Sequence, residues 1–310
     1  MKRILVTGAC GFVGGHLVAR LVRAGHQLTA AIQNPACQFD PIVEKISFDL
    51  THPEEVFLAV KASQPDLILH LAAQSMVMRS WDEPVETLKV NTLGPLYLLD
   101  AMRRLSGIQL ITIGSSDEYG LAGKIGIPLT EDVPCQPQNP YAVSKFAAGQ
   151  LAMQLAGKWQ LTVMHLRPFN HFGPGQRAGY VVSDFCSQIA RIEKGELEPE
   201  LVVGDLSAQR DFTDVRDVIE AYATVAERGL PTGIYNICSG QPRRVSDILE
   251  FLLQEAKTPI QVKVDPARLR PSDVPLFIGS AEKIRSEIGW KPGRSFFESL
   301  RETLDWWRSQ

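Results

Sequence analysis

Tyr141 and Lys145 stand four residues apart in Tyr141-Ala142-Val143-Ser144-Lys145, a spacing that on a helix puts a phenol and an ammonium on one face. A phenol ordinarily titrates near 10, and bringing it to about 7 takes roughly 4 kcal/mol of preferential stabilisation of the phenolate. A neighbouring ammonium and a cationic cofactor ring are two sources of it. Such a phenol can give a proton to an oxygen held beside it, or take one. A hydroxyl to share that task stands at Ser115, in Gly114-Ser115-Ser116-Asp117-Glu118-Tyr119-Gly120. The segment falls at the expected end of a strand, the edge on which open α/β sheets build their sites. YxxxK alone is as readily an exposed helix face with a surface lysine; the serine makes it a set.

A second kind of chemistry is written at Gly8-Ala9-Cys10-Gly11-Phe12-Val13-Gly14, which follows the apolar run Ile4-Leu5-Val6 and opens a helical pattern. Glycines there permit a tight turn, let backbone approach a pyrophosphate and bring the helix close to the sheet, while the helix N-terminus offers N–H groups to the anion. Gly8, Gly11, Phe12, Val13 and Gly14 are therefore expected to cradle a dinucleotide. Asp49-Leu50 closes the third strand, where a carboxylate can accept from an adenine amino group or simply shape a turn. The second strand would ordinarily end on an acid for a ribose 2′-hydroxyl or an arginine for a 2′-phosphate, yet it ends Ala31-Ile32-Gln33-Asn34. Neither NAD nor NADP is selected, and both are expected to serve.

These groups need a scaffold, and the pattern supplies one. Short runs rich in Ile, Val and Leu alternate with amphipathic stretches, as expected for a parallel sheet covered on both faces. The spacing predicts strands near 3–7, 27–32, 43–48, 66–71, 108–114 and 161–167, and helices near 12–25, 53–63, 84–105 and 141–157. This is an α/β, doubly wound, Rossmann-type arrangement. Beyond Arg167-Pro168 come Gly- and Pro-rich loops, a helix near 181–194 and a terminal helix near 295–308, read as a smaller mixed α/β lobe. The stretch 211–228 is expected to cross back, so residues 1–168 plus about 211–236 form the dinucleotide domain, and about 169–210 plus 237–310 the second lobe.

Composition limits the partners. The 310 residues are 45% hydrophobic and carry a formal charge of -3, so no basic surplus exists to neutralise a nucleic-acid backbone. The five cysteines Cys10, Cys37, Cys135, Cys186 and Cys238 are scattered, with no CxxC pair, and are expected to be reduced, buried thiols that hold no metal. Met1-Lys2-Arg3 leads into an apolar stretch too short for a signal peptide or membrane span, so a soluble cytoplasmic protein is expected.

Taken together, Thr7 to Gly14, His70-Leu71-Ala72-Ala73-Gln74, Asn91, the SSDEYG segment and YAVSK resemble the extended short-chain dehydrogenase/reductase family, essentially end to end. The resemblance implies that Ser115, Tyr141 and Lys145 are the catalytic triad and that Asn91 supports the cofactor loops. It also implies that Leu71, Ala72 and Ala73 form a wall against the dinucleotide, with Lys145 on the nicotinamide ribose and Arg167 nearby. A homodimer through a four-helix bundle of the helices near 84–105 and 141–157 is implied as well.

Further motifs narrow the substrate. RPFNHFGPGQ, GDLSAQRDFTDVRDV, NICSG, LRPSDVPLFIGS and GWKP resemble the reductases of GDP-4-keto-6-deoxy-D-mannose and share a tail pattern with the GDP-mannose 4,6-dehydratases. A GDP-sugar is thus the implied substrate, with Ser115, Ser116, Asp117, Asn170, Val181, Arg210, Arg270 and Asp273 as contacts. Arg210 and Arg270 are the expected diphosphate ligands, since a guanidinium donates two hydrogen bonds in one plane. The implied reaction is hydride delivery to C4, giving GDP-D-rhamnose. A dehydratase would resemble Ser/Thr-x-Glu where Ser115-Ser116-Asp117 stands, so its chemistry stays open on the shorter Asp117 and on Glu118, as does a non-enzymatic role as a sensor of NADP or a partner or as a scaffold.

Overall fold

The computed structural model describes residues 1–265 and 274–310. Its first half alternates β1 (Arg3–Thr7), α1 (Phe12–Arg23), β2 (Gln27–Ala31), β3 (Glu44–Ile46), α2 (Pro53–Ser63) and β4 (Leu67–His70). Then follow α3 (Val77–Asp82), α4 (Pro84–Leu88), α5 (Gly94–Leu105), β5 (Gln109–Ile113), α6 (Pro140–Trp159) and β6 (Thr162–Pro168). The remainder comprises β7 (Asn170–Phe172), α7 (Val181–Glu193), β8 (Glu200–Val203), β9 (Gln209–Asp214), α8 (Val215–Arg228) and β10 (Gly233–Ile237). Last come β11 (Pro242–Arg244), α9 (Val245–Gln254), β12 (Gln261–Val264), β13 (Leu276–Phe277), α10 (Glu282–Ile288) and α11 (Phe296–Ser309).

A seven-stranded sheet in the order β10-β6-β5-β4-β1-β2-β3, parallel throughout, is the centre of the molecule. Its strands are continuous apolar runs because both faces are covered. On one face Leu17, Leu21, Val218 and Tyr222 of α1 and α8 pack on Val6, Leu69 and Leu166; on the other Val56, Val60, Leu98, Leu99 and Ala152 pack on Leu5, Ile68 and Leu110. Strand order reverses between β1 and β4, and a crevice opens there above the carboxyl ends of the strands. Ile284, Ile288 and Trp290 pack in the first of these cores, so the stretch around α10 lies against the sheet, where the sequence reading placed it in the second lobe.

The smaller lobe is built on β9, which pairs with β7, β11 and β13, and on the pair β8-β12. Phe172, Phe185, Ile189, Leu201, Leu249 and Leu300 fill it. The chain returns to the sheet side at Asp214, whose carboxylate accepts from the Arg216 amide (2.7 Å) and caps α8.

Two elements differ from expectation. The third strand shrinks to Glu44–Ile46, a partly exposed sheet edge. The single helix expected near 84–105 is interrupted by a π-helical turn at Lys89–Leu93, where the Gly94 amide bonds to the Lys89 carbonyl. Pro95 explains it: proline brings no N–H and crowds the carbonyl four residues back, so the ladder widens locally. The wider turn directs Asn91 and Thr92 at α6, with Asn91 Nδ2 on Ser144 Oγ (3.0 Å) and Thr92 Oγ1 on the Ser144 carbonyl (2.9 Å). Among the described residues no helix is long and apolar enough to cross a membrane.

His70, at the end of β4, pairs with Thr7 Oγ1 at the end of β1 (2.7 Å), and burial brings its imidazole from the ordinary 6.5 down to about 3. The folded protein thus keeps His70 neutral where the unfolded chain protonates it. Its contribution is whole above pH 6.5 and is lost as pH falls toward 3. The urea midpoint should accordingly fall on going from about pH 7 to about pH 5; a flat midpoint would contradict this.

Candidate functional site

A cavity of about 920 Å³ runs from the glycine loop, past the ends of β4 and β5, to the inner wall of the second lobe. A pocket of about 270 Å³ adjoins it and shares Ser116, Asp117, Asn170 and Arg210.

At one end, Gly8 adopts φ +68°, and a Cβ there would lie 2.6 Å from the Ala72 backbone nitrogen; a Cβ at Gly14 would run into the Gly8 carbonyl. The loop is glycine-built so that β1, β4 and α1 can close on one another. Gly11 caps α1 without a side chain, which leaves first-turn N–H groups of the helix for an anion beside Gly11, Phe12, Val13 and Gly14. A cradle with no room for side chains, at an uncapped helix start, fits the pyrophosphate of a dinucleotide. Leu71 and Ala73 continue the wall.

At the centre, α6 begins on Asn139, whose side chain accepts from the Ala142 amide (2.8 Å), with Pro140 in the first turn. This start places Tyr141 in the cavity and Lys145 one turn deeper, 7% exposed. Ser115 and Tyr141 face the same cavity, and the serine hydroxyl is among the groups that act on the phenol. Lys145 Nζ donates to the Ile113 carbonyl (2.8 Å) at the end of β5, and burial brings its ammonium down to about 8. The phenol is pushed well above its ordinary value, by burial first and then by the negative charge of Asp117. The protein's own surroundings thus favour the protonated phenol and oppose the acidification expected from Lys145 together with a cationic cofactor ring. Burial also pushes the Asp117 carboxyl up, against the pull of Arg210.

Ser115, Ser116, Asp117, Asn170, Val181 and Arg210 all line the cavity. Other expected contacts lie elsewhere. Arg167 is a correction: it is 1% exposed beneath the site, with Nε on Glu118 Oε2 (2.7 Å), and does not reach the dinucleotide cradle. Glu118 is sealed with it, leaving Asp117 as the carboxylate of this turn that lines the cavity. Asp49 accepts from the amide and the hydroxyl of Thr51 (both 2.8 Å) and shapes the turn after β3, while Leu50 is core. Ala72 stands behind the glycine loop, its amide on Thr7 Oγ1 (3.2 Å). Asn91 is a brace, holding both backbone groups of Gln74 (2.8 and 2.9 Å). Arg270 and Asp273 lie outside the described residues.

Sequence reasoning passed over Arg177, Tyr180 and Asp205, which also line the cavity. Tyr180 pairs with Ser75 (3.1 Å) across the two lobes. A loop arginine two residues beyond the GPG run was the available signal; for Tyr180 there was none. The cysteines bring a second correction. Cys10 and Cys37 form a disulfide that ties the turn after β2 to the glycine loop, and only Cys135, Cys186 and Cys238 are free. Twenty-seven residues separate the pair in sequence, so only the fold reveals the contact.

Known proteins resemble this chain along almost its whole length. The family model described as GDP-mannose 4,6 dehydratase matches residues 5–303. A GDP-6-deoxy-D-mannose reductase from Pseudomonas aeruginosa is 37% identical, over 100% of this chain and 98% of that one. The structure of RMD from Pseudomonas aeruginosa complexed with NADPH superposes with a TM-score of 0.85 at 34% identity, covering 100% of this chain and 99% of that one. The Thermus thermophilus UDP-glucose 4-epimerase in complex with NAD superposes with a TM-score of 0.87 at 30% identity, covering 99% of each chain.

Two outcomes are expected from this site. Gly8→Ala should weaken dinucleotide binding by at least about tenfold, since the added methyl meets backbone; fluorescence titration with NADPH measures it, and wild-type affinity would refute the cradle. Thiol titration of the denatured protein should find three reactive groups without reductant and five with it; five in both would remove the disulfide.

Proposed function

The chain belongs to the GDP-mannose 4,6-dehydratase family of nucleotide-sugar enzymes, and on that footing we propose that it is an NAD(P)H-dependent reductase acting on the C4 ketone of GDP-4-keto-6-deoxy-D-mannose to give GDP-D-rhamnose. One observation carries the reading: Ser115, Tyr141 and Lys145 line the same cavity as a dinucleotide cradle, in surroundings that favour the protonated phenol. The 37% identity to a GDP-6-deoxy-D-mannose reductase supports the direction and the sugar.

The reduced dinucleotide, when bound, supplies the hydride. Gly8, Gly11, Phe12, Val13 and Gly14 would hold its pyrophosphate and Lys145 a ribose hydroxyl. Ser115 orients the ketone oxygen. Tyr141 gives that oxygen its proton, so that carbonyl becomes alcohol, and the phenolate left behind recovers a proton from solvent. A raised phenol suits this direction, because the alkoxide it serves is more basic still. Arg210, two-sided between the cavity and its adjoining pocket, takes the diphosphate, with Asn170 beside it and the uncapped start of α7 at Val181 adding N–H groups. No acid or arginine closes β2, so both NADH and NADPH serve.

A dimer is part of the proposal. Leu88, Leu93, Val143 and Leu151 are exposed apolar residues on the α4–α5 and α6 helices, a face fit for a four-helix bundle between two copies. Asp117 is too short, on this reading, to replace the glutamate of a dehydratase.

Tyr141→Phe should lower kcat by about a hundredfold or more while NADPH affinity stays within about threefold; retained turnover would take the acid role from Tyr141. In wild type, kcat/KM for the dinucleotide should decline above about pH 8 as Lys145 loses its proton. Product NMR after feeding the 4-keto sugar with NADPH should show GDP-D-rhamnose; conversion of GDP-mannose instead would establish the dehydratase.

A further inference from the structure

We infer that Glu118, sealed beneath the cavity, is the positioning residue for Ser115, Tyr141 and Lys145, acting through the bond that it accepts from the Ser115 amide and through its charge. The inference rests on the reductase reading for what these three residues do.

The geometry begins with a carboxylate of 0% exposure. Oε1 accepts from the Ser115 amide (2.9 Å) and pairs with His165 Nε2 (3.0 Å), and Oε2 accepts from Arg167 Nε (2.7 Å). His165 is anchored in turn on Thr112 Oγ1 (2.8 Å); Arg167 lies over the ring of Tyr119, whose hydroxyl donates to Asn236 Oδ1 (2.8 Å). The chain makes room for this cluster: a Cβ at Gly114 would run into Glu118, and one at Gly149 into the His165 ring. Burying a carboxylate with a guanidinium is costly, and packed apolar side chains of similar volume are often as stable, so fold stability alone does not account for the cluster.

Its position does. Ser115 Oγ accepts from the Asp117 amide (3.1 Å) while Glu118 returns to the Ser115 amide, and the two bonds close one short turn at both ends. That turn carries Ser115, Ser116 and Asp117 into the cavity. With an Oγ lone pair held by Asp117, the Ser115 proton is left for the substrate oxygen. The charge is permanent, since His165 and Arg167, against burial, hold the Glu118 carboxyl at about 2. It acts on the proton-transfer pair above, favouring the ammonium of Lys145 and the protonated form of Tyr141.

Two variants separate bond from charge. Glu118→Gln keeps an oxygen for the Ser115 amide and removes the charge. Glu118→Leu with Arg167→Met removes the oxygen and leaves no unpaired buried ion. NADPH affinity from about pH 6 to pH 10, read by fluorescence without sugar, reports Lys145 independently of turnover. The alkaline decline should begin about one pH unit lower in Glu118→Gln. In the double variant kcat for the 4-keto sugar should fall about tenfold or more, with KM within about threefold. Folded variants with wild-type pH dependence and wild-type kcat would overturn the inference; if Glu118→Gln does not fold, the double variant decides it. Wild type that binds NADPH but reduces no 4-keto sugar would refute the reductase reading instead, leaving the pH comparison to test Glu118.

Discussion

Ser115 and Tyr141 meet at one cavity wall because the turn after β5 packs against the start of α6, and much of the molecule serves to keep those groups in reach. Parallel strands deliver their carboxyl ends to one edge, so a residue just past β5 and the start of the next long helix meet there. Asn139 and Pro140 set where α6 begins, while Asn91 and Thr92, turned inward by the π-helical interruption, grip Ser144 one residue before Lys145. An irregularity in one helix thus fixes the position of another.

Electrostatics above and below that meeting point differ in kind. Below it, Glu118, His165 and Arg167 form a closed cluster with no exposure to the cavity, in which the carboxylate and the guanidinium hold each other charged. Above it, Tyr141, Lys145 and Asp117 have values moved by burial: the phenol and the carboxyl up, the ammonium down to about 8. The buried surroundings favour neutral groups, which leaves Tyr141 prepared to give a proton rather than to take one.

The second lobe closes the far side of the cavity. Tyr180 reaches Ser75, His16 reaches the Pro174 carbonyl (2.9 Å), and Phe12 stacks on His171, all beside the glycine loop. Cavity and lobe boundary therefore coincide, and the Cys10–Cys37 disulfide lies at the same end of the cleft.

How much was legible in the chain follows from range. Glycine spacing after β1, the apolar runs of a doubly covered sheet, and a phenol four residues before an ammonium are local patterns. They made the fold class legible and marked the glycine loop and the Tyr141–Lys145 pair as candidates, because each is a pattern within a few residues of chain. What depends on distant residues meeting was not legible. Arg167 reads as a cleft arginine until β6 is seen to aim it at Glu118, and Cys10 and Cys37 read as unrelated thiols until the turn after β2 folds onto the glycine loop. The surroundings of Tyr141 belong to the same class: spacing puts Lys145 nearby, yet burial and Asp117, brought in from the β5 turn, push the phenol upward. Periodicity travels with the sequence, whereas desolvation and long-range charge pairing exist only once the chain has packed.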